Sequence, residues 1–209
     1  MVTELRLVGG DPALDLVNTV GDDRVADPLA GYASFAAWAA RLGVIDDEAA
    51  ARLAARARER PAAADRALDE ARALRTAVDA VFRALATRAE GPPATAAAGP
   101  PPRALTELVT RAGAAIERAR LVPVADEARG AFGLAWDGDD LERPLWPLAV
   151  AALDLLRSGP LDRLKACEGC PWLFLDTSRN HSRRWCSMDD CGSRSKMRRY
   201  RARRATAAR

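Results

Sequence analysis

Cys167-Glu-Gly-Cys170 and Cys186-Ser-Met-Asp-Asp-Cys191 hold all four cysteines of a 209-residue chain within 25 positions. In the spacing C-x2-C-x15-C-x4-C, one tight turn can aim two sulfurs at a single ion, and a loop returns a second pair to complete a tetrahedral shell. Four thiolates are the ligand set of structural zinc, because no coordination position stays open for water or substrate. So short a segment has little apolar core of its own, and metal binding supplies its folding free energy. The sequence therefore predicts one structural Zn2+ held by Cys167, Cys170, Cys186 and Cys191. Two disulfides would suit an exported chain, but Met1-Val-Thr-Glu-Leu-Arg6 has no apolar signal region. A redox Cys-x-x-Cys pair would need a βαβ setting, which is absent. His181, the single histidine, lies between the pairs and is the one other candidate ligand. With four sulfurs already filling the shell, it reads as a loop residue.

Charge divides the chain where the cysteines do. Residues 1–160 carry 19 basic against 24 acidic side chains, and residues 161–209 carry 13 against 5. The net +3 of the whole chain hides this asymmetry. A basic tail on an acidic body points to a polyanionic partner for the tail. Thirty of the 32 basic residues are arginine, which suits phosphate recognition and a GC-rich coding bias alike, so position carries more meaning than number. No apolar run is long enough for a membrane helix, and the expectation is a cytoplasmic protein, on the nucleoid when bound to DNA.

Upstream of the cysteines the chain reads as mainly helical. Asp11 and Pro12 open a first helix through about residue 20. Tyr32, Phe35, Trp38, Ala39 and Leu42 share a helical face, ended by Gly43, and Asp46 or Asp47 caps a further helix up to Pro61. The longest periodic stretch, 62–89, aligns Leu68, Ala71, Leu74, Val78, Val81, Phe82 and Leu85. Gly91–Pro102 is a flexible loop by composition, followed by a helix at about 103–118 that can pack back as a hairpin. Two apolar runs, 121–125 and 131–136, flank the polar turn 126–130 and read as a β-hairpin. Pro144 opens an apolar helix that stops at Ser158-Gly159-Pro160. The fold class expected is thus mainly α: a helical body (1–159) with a short β-hairpin, then a small four-cysteine module (160–209) ending in a basic helix.

Leu7-Val-Gly-Gly-Asp-Pro-Ala-Leu-Asp-Leu-Val-Asn-Thr19 resembles the opening of the ABATE domain, and Cys170–Met188 (Cys-Pro-Trp-Leu-Phe-Leu-Asp-Thr-Ser-Arg-Asn-His-Ser-Arg-Arg-Trp-Cys-Ser-Met) resembles the CGNR zinc finger. The name-giving motif departs here to Cys191-Gly-Ser-Arg194, with Ser193 where asparagine is usual. The resemblance implies a bacterial, stress-linked transcription regulator with a helical sensor-like domain and a DNA-binding finger.

The residues support a polyanion partner independently. Arg194, Lys196, Arg198, Arg199 and Arg201 lie in a stretch free of Pro and Gly. As a helix it places Arg194, Arg198 and Arg201 together, Lys196 and Arg199 roughly opposite, and Met197 with Tyr200 as a seam expected to anchor on the zinc core. Such a helix suits phosphates or the major groove of duplex DNA, and Arg179, Arg183 and Arg184 extend the surface. The alternatives are a zinc-stabilised protein-interaction adaptor and an RNA-binding module. A lone finger gains specificity from paired half-sites, so a homodimer is a candidate assembly. Trp172, Phe174 and Trp185 are expected to form the finger's miniature core, and Asp176, Ser178 and Asn180 its turns. Asp15 and Asn18, three apart on an apolar helix, are candidates for lining an effector pocket; the alternative is internal satisfaction. No catalytic set with a second histidine and no phosphate-binding glycine loop is present, so an enzyme is not expected.

Overall fold

The computed structural model describes residues 5–20, 26–90, 99–123 and 131–207. Helix α1 (Pro12–Val17) begins where Asp11 is extended and its Oδ1 accepts the Ala13 N–H at 2.8 Å. It ends at Asn18, short of the expected residue 20. Helix α2 (Tyr32–Arg41) stops before Gly43, whose φ of +81° is left-handed. Helix α3 (Asp47–Glu59) is capped by Asp46, which accepts the Ala49 N–H at 2.6 Å. Only Arg60 separates it from α4 (Pro61–Glu90), a helix of 30 residues and thus about 45 Å long.

The α4 periodicity is realised: Leu68, Ala71, Leu74, Val78, Val81 and Phe82 are all buried, with Leu85 partly so. Helix α5 (Pro102–Glu117) packs on α4, where Arg111 bridges Glu107 of its own helix and Glu70. Strands β1 (Arg120–Pro123) and β2 (Phe132–Ala135) pair antiparallel, with Arg120 opposite Ala135 and Pro123 opposite Phe132. The Trp136 Nε1–H beyond β2 donates to the Ala115 carbonyl at 2.8 Å. Helix α6 (Leu145–Ser158) then packs against α5 and α1. The expected 126–130 turn, and residues 91–98 of the expected Gly/Pro loop, lie outside the described residues. No helix of the described residues is long and apolar enough to cross a membrane.

Beyond Gly159, strands β3 (Leu164–Ala166) and β4 (Leu173–Leu175) form a second antiparallel hairpin, with Leu164 opposite Leu175. A single π-helical turn, Met188–Gly192, leads into α7 (Ser193–Ala207). Gly159-Pro160 does not end the hydrophobic core. One cluster joins Leu14, Leu16, Leu74 and Val78 of the body to Trp172, Leu173, Phe174, Cys167, Cys186 and Cys191. Short as it is, α1 lies at the centre: Ala13, Leu14 and Leu16 are fully buried, and it touches α4, α6 and β4. Each of its leucines contributes about 2 kcal/mol of burial.

Candidate functional site

The four cysteine sulfurs all lie within 4.8 Å of one another. A zinc–thiolate distance of about 2.3 Å requires sulfurs about 3.8 Å apart in a tetrahedron. Cys170 and Cys186 are 3.6 Å apart and Cys186 and Cys191 3.9 Å, so the donors are spaced for one ion. The backbone supports the thiolate form: the N–H groups of Gly169 and Cys186 donate to Cys167 Sγ at 3.4 and 3.3 Å. The neighbouring Cys170 and Cys186 thiols, with these N–H groups, hold Cys167 well below the ordinary thiol range. Position 169 has no room for a side chain, since a Cβ there would stand 2.9 Å from the Cys191 Cβ and 3.2 Å from its sulfur. Arg194 donates to Cys191 Sγ at 2.9 Å and reaches Asp190 at 3.3 Å. Four buried or half-buried sulfurs, hydrogen-bonded and closed to further ligands, hold one structural zinc.

The loop between the cysteine pairs is organised by two residues. Asp176, fully buried, accepts from Ser178 N–H and Oγ–H, Arg183 N–H and Lys165 Nζ. Burial would raise its carboxyl, but Lys165, Ser178 and the Arg183 N–H hold it well below the usual carboxylate range. Lys165 also caps the carbonyls of His181 and Arg183. His181 has a φ of +48° and stands outside the cysteine cluster. Nothing in the sequence marked Lys165, except that it is one of two lysines among 32 basic residues.

The structure places Asp15 and Asn18 at the seam between body and finger. Asn18, 1% exposed, donates through Nδ2 to the Leu173 carbonyl at 2.8 Å and accepts the Leu173 N–H at 2.9 Å. Asp15 accepts from Val8 and Gly9 at 2.9 and 2.8 Å, both at Oδ1. Burial pushes its carboxyl up to about 6, against the lowering by those bonds. These bonds satisfy the Asn18 carboxamide and the Asp15 Oδ1 from within the protein, the alternative to lining an effector pocket. The loop before α1 joins the seam as well, for Gly9 O accepts the Leu175 N–H at 2.8 Å. Gly10 has a φ of +78°, and a Cβ on it would meet Leu175 at 3.4 Å. Trp172 Nε1 donates to Val20 O at 3.1 Å, and Arg83 to Pro171 O at 2.9 Å.

The basic residues separate into two groups. Arg183 donates to Cys186 O at 2.5 Å and lies 4.9 Å over the Phe174 ring. Arg184 pairs with Glu168 at 2.5 Å and lies over Trp185. With Arg194 on its sulfur, these three are engaged within the finger. Arg179, Lys196, Arg198, Arg199 and Arg201 are exposed, and their side chains make no hydrogen bond or ion pair among the described residues. Met197 and Tyr200 overturn the expected seam: they are 52% and 54% exposed. The cause is direction: α7 leaves the zinc core along the π-turn, which is its principal neighbour among the described residues. Trp172 and Phe174 are buried and Trp185 partly so, but in a core continuous with that of the body rather than in the expected miniature core of the finger. The hydroxyl of Ser193 donates to Met188 O at 3.1 Å, closing the π-turn from the position of the family asparagine.

Residues 163–204 match the model of the CGNR zinc finger, and residues 10–159 match that of the ABATE domain, described as "putative stress-induced transcription regulator". None of the curated proteins matches the chain. The sulfur geometry agrees with the first match and the continuous helical body with the second. The chain belongs to the ABATE family, and its finger is of the CGNR type.

Proposed function

We propose that this protein is a transcription regulator that binds duplex DNA through α7 of its zinc finger, while the helical body senses a small molecule or mediates assembly. The observation that carries this reading is the unpartnered basic surface of Lys196, Arg198, Arg199 and Arg201, all exposed on a helix rooted in the metal centre. Cationic side chains spread around one helix suit phosphate contacts on both walls of a groove, and its arginines can also read guanine bidentately in the major groove. Burial of Trp172 and partial burial of Trp185 favour a duplex over RNA, which is read through unstacked bases on exposed aromatic rings. Two copies on paired half-sites would supply specificity. The closed thiolate shell gives the zinc no catalytic position, so the metal serves presentation, and the protein works in the cytoplasm on the nucleoid.

The test is duplex retention as a function of salt. Affinity should fall steeply with ionic strength through counterion release, and Arg198→Glu with Arg201→Glu should abolish it while zinc content stays at one per chain. Equal binding by the double variant would reject α7 as the DNA-contacting element. The exposed Met197 and Tyr200 favour a second reading, an adaptor for an acidic protein partner. Selection from random duplexes separates the two: an enriched motif supports the regulator, and failure to retain any duplex at low salt supports the adaptor.

A further inference from the structure

Most arginines of the body are engaged. Arg52 meets Glu48 and Asp139, Arg75 meets Asp27, and Arg111 meets Glu70 and Glu107. Arg56, Arg60 and Arg66 are different: among the described residues none of their side chains makes an ion pair or a hydrogen bond. All three line one cleft of about 230 Å³ at the corner between α3 and α4, floored by the buried Leu141. Three like charges gathered in one concavity of an otherwise acidic body repel one another unless an anion joins them.

We propose that this cleft binds a phosphate group, free or carried at the end of a small molecule; by naming an effector's chemistry it rests on the reading of the body as a sensor. Three planar guanidinium forks match the several oxygens of a phosphate better than a single carboxylate, which one fork saturates. Asp140 and Glu142 line the same cleft. Asp140 Oδ1 is held by the Glu142 N–H at 2.8 Å, and neither carboxylate reaches an arginine at ion-pair distance. They limit the net charge of the site and so favour a compact dianion over a long polyanion. The volume points the same way, lying below the roughly 300–1,000 Å³ that enclose whole drug-sized ligands. The cleft is also separate from the finger: from Arg66 to Arg83, which contacts Pro171, α4 runs about 25 Å.

The experiment is calorimetric titration of the full-length, zinc-loaded protein with inorganic phosphate, ionic strength being held constant with chloride. Saturable binding of one phosphate per chain is expected, weakened about tenfold or more by Arg60→Gln with Arg66→Gln. Arg58→Gln, an exposed arginine of α3 outside the cleft, should leave it unchanged. Asp140→Asn should tighten binding, since the amide still accepts the Glu142 N–H. Thermal melts establish that each variant is folded. A flat titration overturns the proposal, as does equal weakening by Arg58→Gln, which would mean non-specific charge. Duplex retention measured on the same variants separates the two readings. Loss of DNA binding in Arg60→Gln with Arg66→Gln, without added phosphate, would make the cleft a nucleic-acid contact and overturn the phosphate site. Loss of phosphate binding with DNA binding intact supports it, and absence of DNA binding in the parent with saturable phosphate binding rejects only the finger's proposed role.

Discussion

The carboxamide of Asn18 exchanges two hydrogen bonds with the main chain of Leu173, across 155 positions of sequence. It behaves as one more strand residue pairing with β4, supplied by a helix of the body. Only asparagine or glutamine presents a donor and an acceptor side by side for this pairing, and the longer glutamine would displace the helix.

Asn18→Ala should lower stability by about 2–4 kcal/mol, because it leaves a buried N–H and a buried carbonyl of Leu173 unsatisfied. Asn18→Asp should be at least as costly, since a carboxylate accepts the Leu173 N–H but opposes the Leu173 carbonyl. Urea unfolding followed by intrinsic tryptophan fluorescence measures both. A loss below about 0.5 kcal/mol for either variant, the scale of an unremarkable surface change, would show that the clamp is not needed.

Zinc removal should reach the body. Cys167, Cys186 and Cys191 belong to the same cluster of buried residues as Leu14 and Val78. Chelation, or Cys167→Ser, should therefore lower the melting temperature of the helical signal as a whole and expose Trp172 to quenchers. An unchanged helical melt in the metal-free protein would mean that finger and body fold independently.

Asp15 sets a pH dependence. Its carboxyl is raised by burial from 3.8 to about 6, so its neutral form is favoured in the folded state. The stability it contributes is present in full below about pH 4 and is lost as pH rises through about 6, by about 3 kcal/mol. Asp15→Asn keeps both bonds, because Val8 and Gly9 donate to a single oxygen. It should be more stable than the parent at pH 7, with the difference shrinking toward pH 4. Comparing the two proteins at each pH cancels the acid release of zinc. A difference that does not vary with pH would show that Asp15 does not titrate in this range.

The arginines of the finger should divide by phenotype. Arg183→Ala and Arg194→Ala remove contacts to Cys186 O and Cys191 Sγ, and should lower thermal stability or zinc affinity. Arg199→Ala should leave both unchanged and reduce the slope of duplex affinity against salt by about one phosphate contact. The reverse pattern would exchange their roles.

Helix boundaries and the metal centre were legible because their signals are local. Asp11, Asp46 and Gly43 act on backbone within a few residues, and C-x2-C fixes two ligands in one turn. The β3–β4 hairpin was not legible, for Leu173-Phe174-Leu175 is buried on both faces and shows no alternation. Nor was the Asn18–Leu173 pair, whose partner is remote in sequence. Met197 and Tyr200 were misread for a related reason. Two apolar residues three apart describe a face, but say nothing about whether another element lies against it.

The uncovered course of α7 has a kinetic and thermodynamic meaning. Arg194 and Arg198, and again Arg199 and Arg203, stand four apart on a helix of 15 residues, where like charges oppose helix formation. A segment of that length and charge would be marginal if it had to start its own first turn, the costly step of helix growth. Here the π-turn that carries Cys191 delivers that first turn already formed. The zinc ion thus acts as a nucleus for the helix beyond it, and a polyanion that screened the arginines would propagate what the metal begins.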